Sequence, residues 1–145
     1  MAHLLHCVIT TPEGRLLEQE IDQLTVETID GQITVLPDHI PLVTILRPGE
    51  MLLRTGSKTV SYALYGGFLE IRPESRIFIL ADAAERPEQI DLAAAEAARE
   101  RAQQVLREKF NTAEYEDAAL QLERELTRVR LARKHHRRHK GGRER

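Results

Sequence analysis

Cysteine occurs once in the 145 residues, tryptophan is missing, and aromatic residues make up only 4% of the chain. A single thiol, Cys7, excludes an internal disulfide. It alternates with Leu5 and Ile9, so it reads as a buried strand thiol rather than a reactive one. Scarce aromatics leave few platforms on which bases could stack, which weighs against single-stranded nucleic acid as a ligand. No apolar run approaches the ~20 residues that span a bilayer. The start, Met1-Ala2-His3-Leu4-Leu5-His6, places no basic residue ahead of its apolar stretch and lacks a signal-peptide pattern. These absences fit a cytoplasmic protein. What is present, 41% hydrophobic and 30% charged residues, fits one globular domain or a small domain with an appendage.

The net charge of -2 conceals an asymmetry. Residues 133–145 hold seven Lys or Arg against one acid, Glu144, so the remainder of the chain is strongly acidic. A general nucleic-acid module would place its basic residues on a folded face, and this body does not. A small sandwich or barrel that binds nucleic acid through its basic tail is the alternative reading.

Residues 1–86 read as short strands separated by turns. Leu5, Cys7 and Ile9 alternate with their neighbours before Pro12-Glu13-Gly14 turns the chain. Leu24, Val26 and Thr28 alternate up to Asp30-Gly31, a hairpin signal because both positions tolerate positive φ. Strands follow at Ile33–Leu36, Leu42–Leu46, Met51–Arg54, Val60–Leu64, Phe68–Ile71 and Ile77–Leu80. Turns or breaks are expected at Arg47-Pro48-Gly49, Gly56-Ser57, Gly66-Gly67 and Pro73-Glu74-Ser75. Turn signals roughly every ten residues indicate an antiparallel sandwich or barrel.

The period changes after Pro87. Leu92, Ala95, Ala98, Ala102, Val105 and Leu106 recur at threes and fours, predicting a helix with a narrow alanine face that Asp91 caps. Asn111 and Glu114 resemble a capping pair that opens a second helix, with Tyr115, Ala118, Leu122, Leu126 and Val129 along one face. So short a link predicts an antiparallel hairpin. Alanine removes little apolar surface from water, so such a hairpin is stable enough to form and weak enough to move.

A search for chemistry finds no phosphate loop, dinucleotide fingerprint, nucleophile elbow or helical His-Glu-x-x-His. The Asp38–His39 pair lies between Pro37 and Pro41 with no nucleophile or metal ligand in its stretch. It reads as a turn or contact pair. His135, His136 and His139 stand among arginines and lysines that disfavour a metal cation, and the segment reads as a solvated basic tail. No catalytic residue, metal or cofactor is expected.

In order, the chain contains "TPEG" (Thr11–Gly14), "LPDHIPL" (Leu36–Leu42), "LRPGEM" (Leu46–Met51), "GGFLEI" (Gly66–Ile71) and "LADAAE" (Leu80–Glu85). Ile90-Asp91 then opens the alanine-rich helix. From Val8 to about Lys134 this resembles the epsilon subunit of bacterial F-type ATP synthase. The resemblance implies an α+β protein: an N-terminal antiparallel β-sandwich of ten strands over 1–86, an antiparallel two-helix hairpin over 87–134, and a flexible basic tail over 135–145. It implies a non-catalytic rotor subunit, peripheral on the cytoplasmic face of the cell membrane. The sandwich would bind the gamma subunit and the c-ring, coupling proton or sodium flow to ATP synthesis. The hairpin would extend into the alpha/beta catalytic head to inhibit hydrolysis. No nucleic acid enters this reading.

The resemblance also assigns residues. Gln32, Asp38 and His39 fall in the region facing gamma and the ring. Many relatives have glutamate at Gln32, glycine at Asp38 and glycine at Thr34. Arg124, Arg128 and Arg130 read either as a solvated helix surface or as contacts to acids of the catalytic head when the hairpin extends. Some relatives bind ATP through Ile/Leu-Asp-x-x-Arg-Ala, for which this chain has Ile90-Asp91-Leu92-Ala93-Ala94-Ala95. Glu85, Asp91, Arg101, Arg124 and Arg128 match supporting positions, but Ala94 replaces the arginine. A lost charge-assisted hydrogen bond costs ~1.5–3 kcal/mol, so ATP binding is expected to be weak or absent.

Overall fold

Alternating burial sets the first half of the chain into eight strands: β1 (Leu5–Thr11), β2 (Gly14–Ile21), β3 (Gln23–Thr28), β4 (Gly31–Val35), β5 (Leu42–Thr55), β6 (Lys58–Arg72), β7 (Arg76–Ala81) and β8 (Ala84–Glu85). A computed structural model describes residues 3–141, in two compact units that divide between Glu85 and Arg86. The strand order is β2-β1-β7-β6-β5-β3-β4, with β8 on β6; every pairing is antiparallel except β1–β7.

One residue shows that this sheet folds back on itself. Asp22 alone separates β2 from β3. In a flat sheet these strands would stand five spacings apart, about 24 Å, whereas two peptide units reach only about 7 Å. The Asp22 N–H donates to the Arg54 carbonyl at 2.8 Å, and its carboxylate accepts from the Gly56 N–H, which pins the joint to the β5–β6 hairpin. Two layers therefore enclose one core. Leu5, Cys7 and Ile9 pack with Leu24 and Val26, Met51 and Leu53, Leu69 and Ile71, and Ile77 and Ile79. Burial pushes the Cys7 thiol up to about 12, so it is inert at neutral pH.

Two expected turns are absent. β5 runs through Arg47-Pro48-Gly49 and β6 through Gly66-Gly67, so the implied ten strands become eight. Gly66 (φ 100°) and Gly67 (φ 132°) adopt angles that side chains resist, which lets β6 bend between layers without breaking its ladder. The β3–β5 register shifts between Thr25 and Thr28, opposite Pro48-Gly49, where an absent prolyl N–H is tolerated. β2 was not anticipated. It is an edge strand whose glutamates and arginine face water, so it shows no core-facing alternation.

The second unit holds a 3₁₀ turn (Pro87–Gln89), α1 (Leu92–Glu108) and α2 (Ala113–Gly141). The Asp91 carboxylate accepts from the Ala94 N–H at 3.0 Å, as capping requires, and Ala95 and Ala102 form the buried alanine face. Lys109–Glu114 (3.0 Å) and Arg133–Glu96 (2.6 Å) tie the helices at either end.

Three expectations for this unit are corrected. Asn111 is left-handed (φ 62°), which suits a turn asparagine but not the extended backbone of an N-cap. The buried stripe of α2 passes through Ala118, Glu125, Val129 and Ala132, and Leu126 is exposed. Glu125 lies at the centre of that stripe, and Leu126 is turned ~100° from it. Finally, α2 does not end at Lys134 but continues through Gly141. No glycine or proline interrupts residues 113–140, arginine and lysine are good helix formers, and cations suit the negative end of the helix dipole. Residues 1–2 and 142–145, including the end of the expected tail, lie outside the described residues.

Candidate functional site

The segment after β4 carries the loop Leu36–Pro41. Asp38 adopts φ 64°, a left-handed angle at which glycine is free and aspartate is among the better-tolerated residues. Its N–H donates to the Ser75 hydroxyl at 2.8 Å, and that hydroxyl also approaches the Asp38 carboxylate at 3.4 Å. The Ser75 carbonyl in turn accepts from the His6 N–H at 2.8 Å. Ser75 is buried and so anchors the loop to the β6–β7 turn and the start of β1. The Asp38 carboxylate thus turns toward Ser75.

His39 is held by its own backbone. Its N–H donates to the Leu36 carbonyl at 3.2 Å, and Nδ1 donates to the Ile40 carbonyl at 2.7 Å. In the neutral ring that bond fixes the proton on Nδ1 and leaves Nε2 as the acceptor. Gln32 lies on β4, and its amide donates to its cross-strand partner Glu27 at 2.9 Å. The neutral side chain is therefore a clamp for a carboxylate of its own sheet. Asp38 and His39 share one loop, and Gln32 stands apart on the strand before it.

Beside this loop lies a surface that the turn-based reading missed. Ile45, Phe68 and Leu80 are direct cross-strand neighbours on β5, β6 and β7. All three point away from the core, with Phe68 53% and Leu80 59% exposed. Ile29 joins the row, its N–H donating to the Ile45 carbonyl at 3.1 Å. In the next row stand Val43, Glu70 and Phe78, with Val43 72% exposed. Arg72 lies 4.2 Å over the Phe78 ring and takes two bonds to Glu70, at 2.8 and 2.9 Å. The Arg72 guanidinium holds the Glu70 carboxyl below its usual range. Ile40, in the loop before β5, is also exposed, at 74%. The signal was in the sequence: "GGFLEI" and "RIFIL" are apolar on both strand faces, as strands covered on both sides are.

The remaining predicted residues distribute between the units. Glu85, on β8, accepts from the Tyr65 hydroxyl within the first unit. In the second unit the Asp91 carboxylate is occupied by its cap. Arg101 lines an open groove of about 490 Å3 with Glu114, Asp117 and Gln121, a set that includes neither Asp91, Arg124 nor Arg128. Arg124 and Arg130 are exposed on α2. Arg128 is mostly buried and pairs at 3.2 Å with Glu125, whose carboxylate also accepts from Gln121 at 2.6 Å. Among the described residues no cluster of three His, Cys, Asp or Glu converges on a point, and no helix is long and apolar enough to cross a membrane.

Comparison with known proteins bears on the whole chain. The family described as "ATP synthase, Delta/Epsilon chain, beta-sandwich domain" matches residues 4–87, and "ATP synthase, Delta/Epsilon chain, long alpha-helix domain" matches residues 88–133. The chain is 40% identical over 129 residues to the ATP synthase epsilon chain of Halalkalibacterium halodurans, covering 88% of this chain and 96% of that one. It is 39% identical over 132 residues to the epsilon chain of Desulforamulus reducens, covering 91% and 99%. In fold it is similar to a chain of the Euglena gracilis mitochondrial ATP synthase OSCP/F1/c-ring assembly. There the TM-score is 0.79 at 22% identity, over 88% of this chain and 80% of the other. A chain of the Tetrahymena thermophila mitochondrial ATP synthase central stalk and c-ring shares the fold at TM-score 0.60 and 16% identity, over 90% and 94%.

Proposed function

Since the chain belongs to the family of ATP synthase delta/epsilon chains, we propose that it acts as the non-catalytic epsilon subunit of the central stalk. In this role the sandwich joins gamma to the c-ring and so couples ion flow to ATP synthesis. The complex holds the subunit peripherally at the cytoplasmic face of the membrane.

The observation that carries this reading is the strip Ile29–Ile45–Phe68–Leu80, continued by Val43. A row of large apolar side chains on the outside of a sheet is a protein-docking surface rather than a solvated face. The adjoining loop, held rigid by Pro37, Pro41 and Ser75, offers His39 Nε2 as a polar contact at its edge. Asp38 shapes this loop, and Gln32 acts through Glu27.

The test uses Phe68→Glu, an exposed position whose change leaves the core intact. Burying a phenylalanine contributes ~1.5–3 kcal/mol, and a buried unpaired charge adds to the loss, so affinity for the stalk falls by roughly a hundredfold or more. Membranes expressing this variant in place of the native chain should lose it on washing and lose ATP synthesis. Full retention of Phe68→Glu, and of Leu80→Glu, would remove this face from the interface.

The hairpin is assigned the regulatory half of the function, inhibition of hydrolysis on extension into the alpha/beta head. Arg124 and Arg130 are its exposed contacts. Arg128 is engaged with Glu125 in the folded hairpin and becomes available only when that pair opens. Glutamate at 124 and 130 should raise hydrolysis by the assembled complex without releasing the chain. Unchanged hydrolysis with full incorporation would count against the assignment.

A further inference from the structure

The helical continuation of α2 beyond Lys134 sorts its charges. At ~100° per residue, Arg130, Arg133, Arg137 and Lys140 fall together on one side, with Lys134 at its margin and Arg138 nearer His135. His135 and His139 fall opposite. Read as a flexible tail, the histidines have no defined geometry. As helix they stand one turn apart, with ring centroids 4.4 Å from each other and planes at 86°.

We propose that His135 and His139 form a two-imidazole site for a divalent cation of the zinc class. Two histidines at i and i+4 on a helix converge on one metal position, the geometry that helical zinc motifs use. With Zn–N near 2.0–2.1 Å and tetrahedral angles, chelating rings sit with centroids about 5 Å apart. The two rings now meet edge to face, with centroids 4.4 Å apart, so binding requires both side chains to turn until one nitrogen of each faces the same point. Neither ring makes a hydrogen bond among the described residues, so both offer nitrogens to a ligand. Glu88, in the 3₁₀ turn that packs on α2, is paired with Arg86 at 2.8 Å and so does little to offset the positive charge around His135. Because no third protein ligand converges among the described residues, water completes the shell and affinity is moderate. Magnesium and calcium, which require oxygen ligands, are excluded. A cation held across one turn fixes the last turns of α2 as helix, and with them the cationic face behind.

The cationic surroundings give the site an unusual signature. Arginines and lysines repel a dication, and salt screens that repulsion over about 8–10 Å. Zinc binding here should therefore tighten as sodium chloride rises from about 20 to about 300 mM. Zinc held by the acidic body would weaken instead.

The experiment is calorimetric titration of the full chain with zinc alone, at low and high salt, beside His139→Gln and His136→Gln. The expected result is one binding event lost, or weakened at least about tenfold, in His139→Gln and retained in His136→Gln. It should strengthen with salt and raise helicity by circular dichroism. Zinc binding indifferent to His139→Gln, equally reduced by His136→Gln, or weakened by salt would overturn the proposal.

Discussion

Replacing Gly67 with alanine tests whether β6 bends because its glycines make close backbone contact or only because they reach unusual angles. Gly14 and Gly67 share nearly the same φ, 128° and 132°. An alanine at either position bears a conformational cost of order 1–3 kcal/mol. Their surroundings differ. A Cβ at Gly14 meets nothing within 4 Å, but at Gly67 it would lie 2.0 Å from the Leu80 carbonyl oxygen and 2.9 Å from the Ala81 Cα. Reaching ordinary contact at 3.4 Å requires β6 and β7 to separate by about 1.4 Å, over a quarter of the usual ~4.8 Å strand spacing. Two or three ladder hydrogen bonds at ~1 kcal/mol each are strained or lost, along with packing between Leu69 and Ile79. Gly67→Ala should therefore cost about 4–6 kcal/mol and Gly14→Ala about 1–3. Urea unfolding followed by β-sheet circular dichroism measures both. Equal losses would refute the close-contact explanation of the bend.

Arg128→Ala leaves the buried Glu125 carboxylate with Gln121 but without its cation, and should lower hairpin stability by roughly 1–3 kcal/mol, discounted for partial exposure of the arginine. Helical signal should melt earlier while the sandwich transition stays in place. His6 hydrogen-bonds Glu20 at 2.7 Å and Glu18 at 3.1 Å, which raises its folded pKa against an opposing desolvation. Its stabilisation is full below about pH 6.5, the ordinary histidine value, and disappears as pH rises through the folded value. His6→Gln should flatten the melting-temperature profile across that window, by a small amount because the pair is partly exposed. ATP should bind the unmodified chain weakly or not at all, and Ala94→Arg, at an exposed position on α1, should strengthen binding in calorimetry; tight binding by the unmodified chain would reject the pattern-based expectation. A chain ending at Glu85 should still restore ATP synthesis to cells lacking the full chain, and failure would show that the hairpin is needed for coupling.

The family, the order of sheet then hairpin, and the capping of α1 by Asp91 were all legible in the sequence, because each depends on residues close together in the chain. Period-2 alternation, turn pairs such as Asp30-Gly31 and the alanine spacing of α1 are local signals that survive without a partner. Gly66-Gly67 and Pro48-Gly49 were misread for the complementary reason. A glycine pair signals unusual backbone angles, but whether the strand stops or bends depends on the strands that hold it on either side. The same holds for Asp38 and His39, where only the distant Ser75 and the local carbonyls decide that one shapes the loop and the other is tied to its own backbone. Tertiary structure alone aligned Ile45, Phe68 and Leu80, since register between β5, β6 and β7 is set across the sheet. It also placed Glu125 rather than Leu126 toward the buried stripe, because Arg128 and Gln121 supply the partners that let a carboxylate be buried.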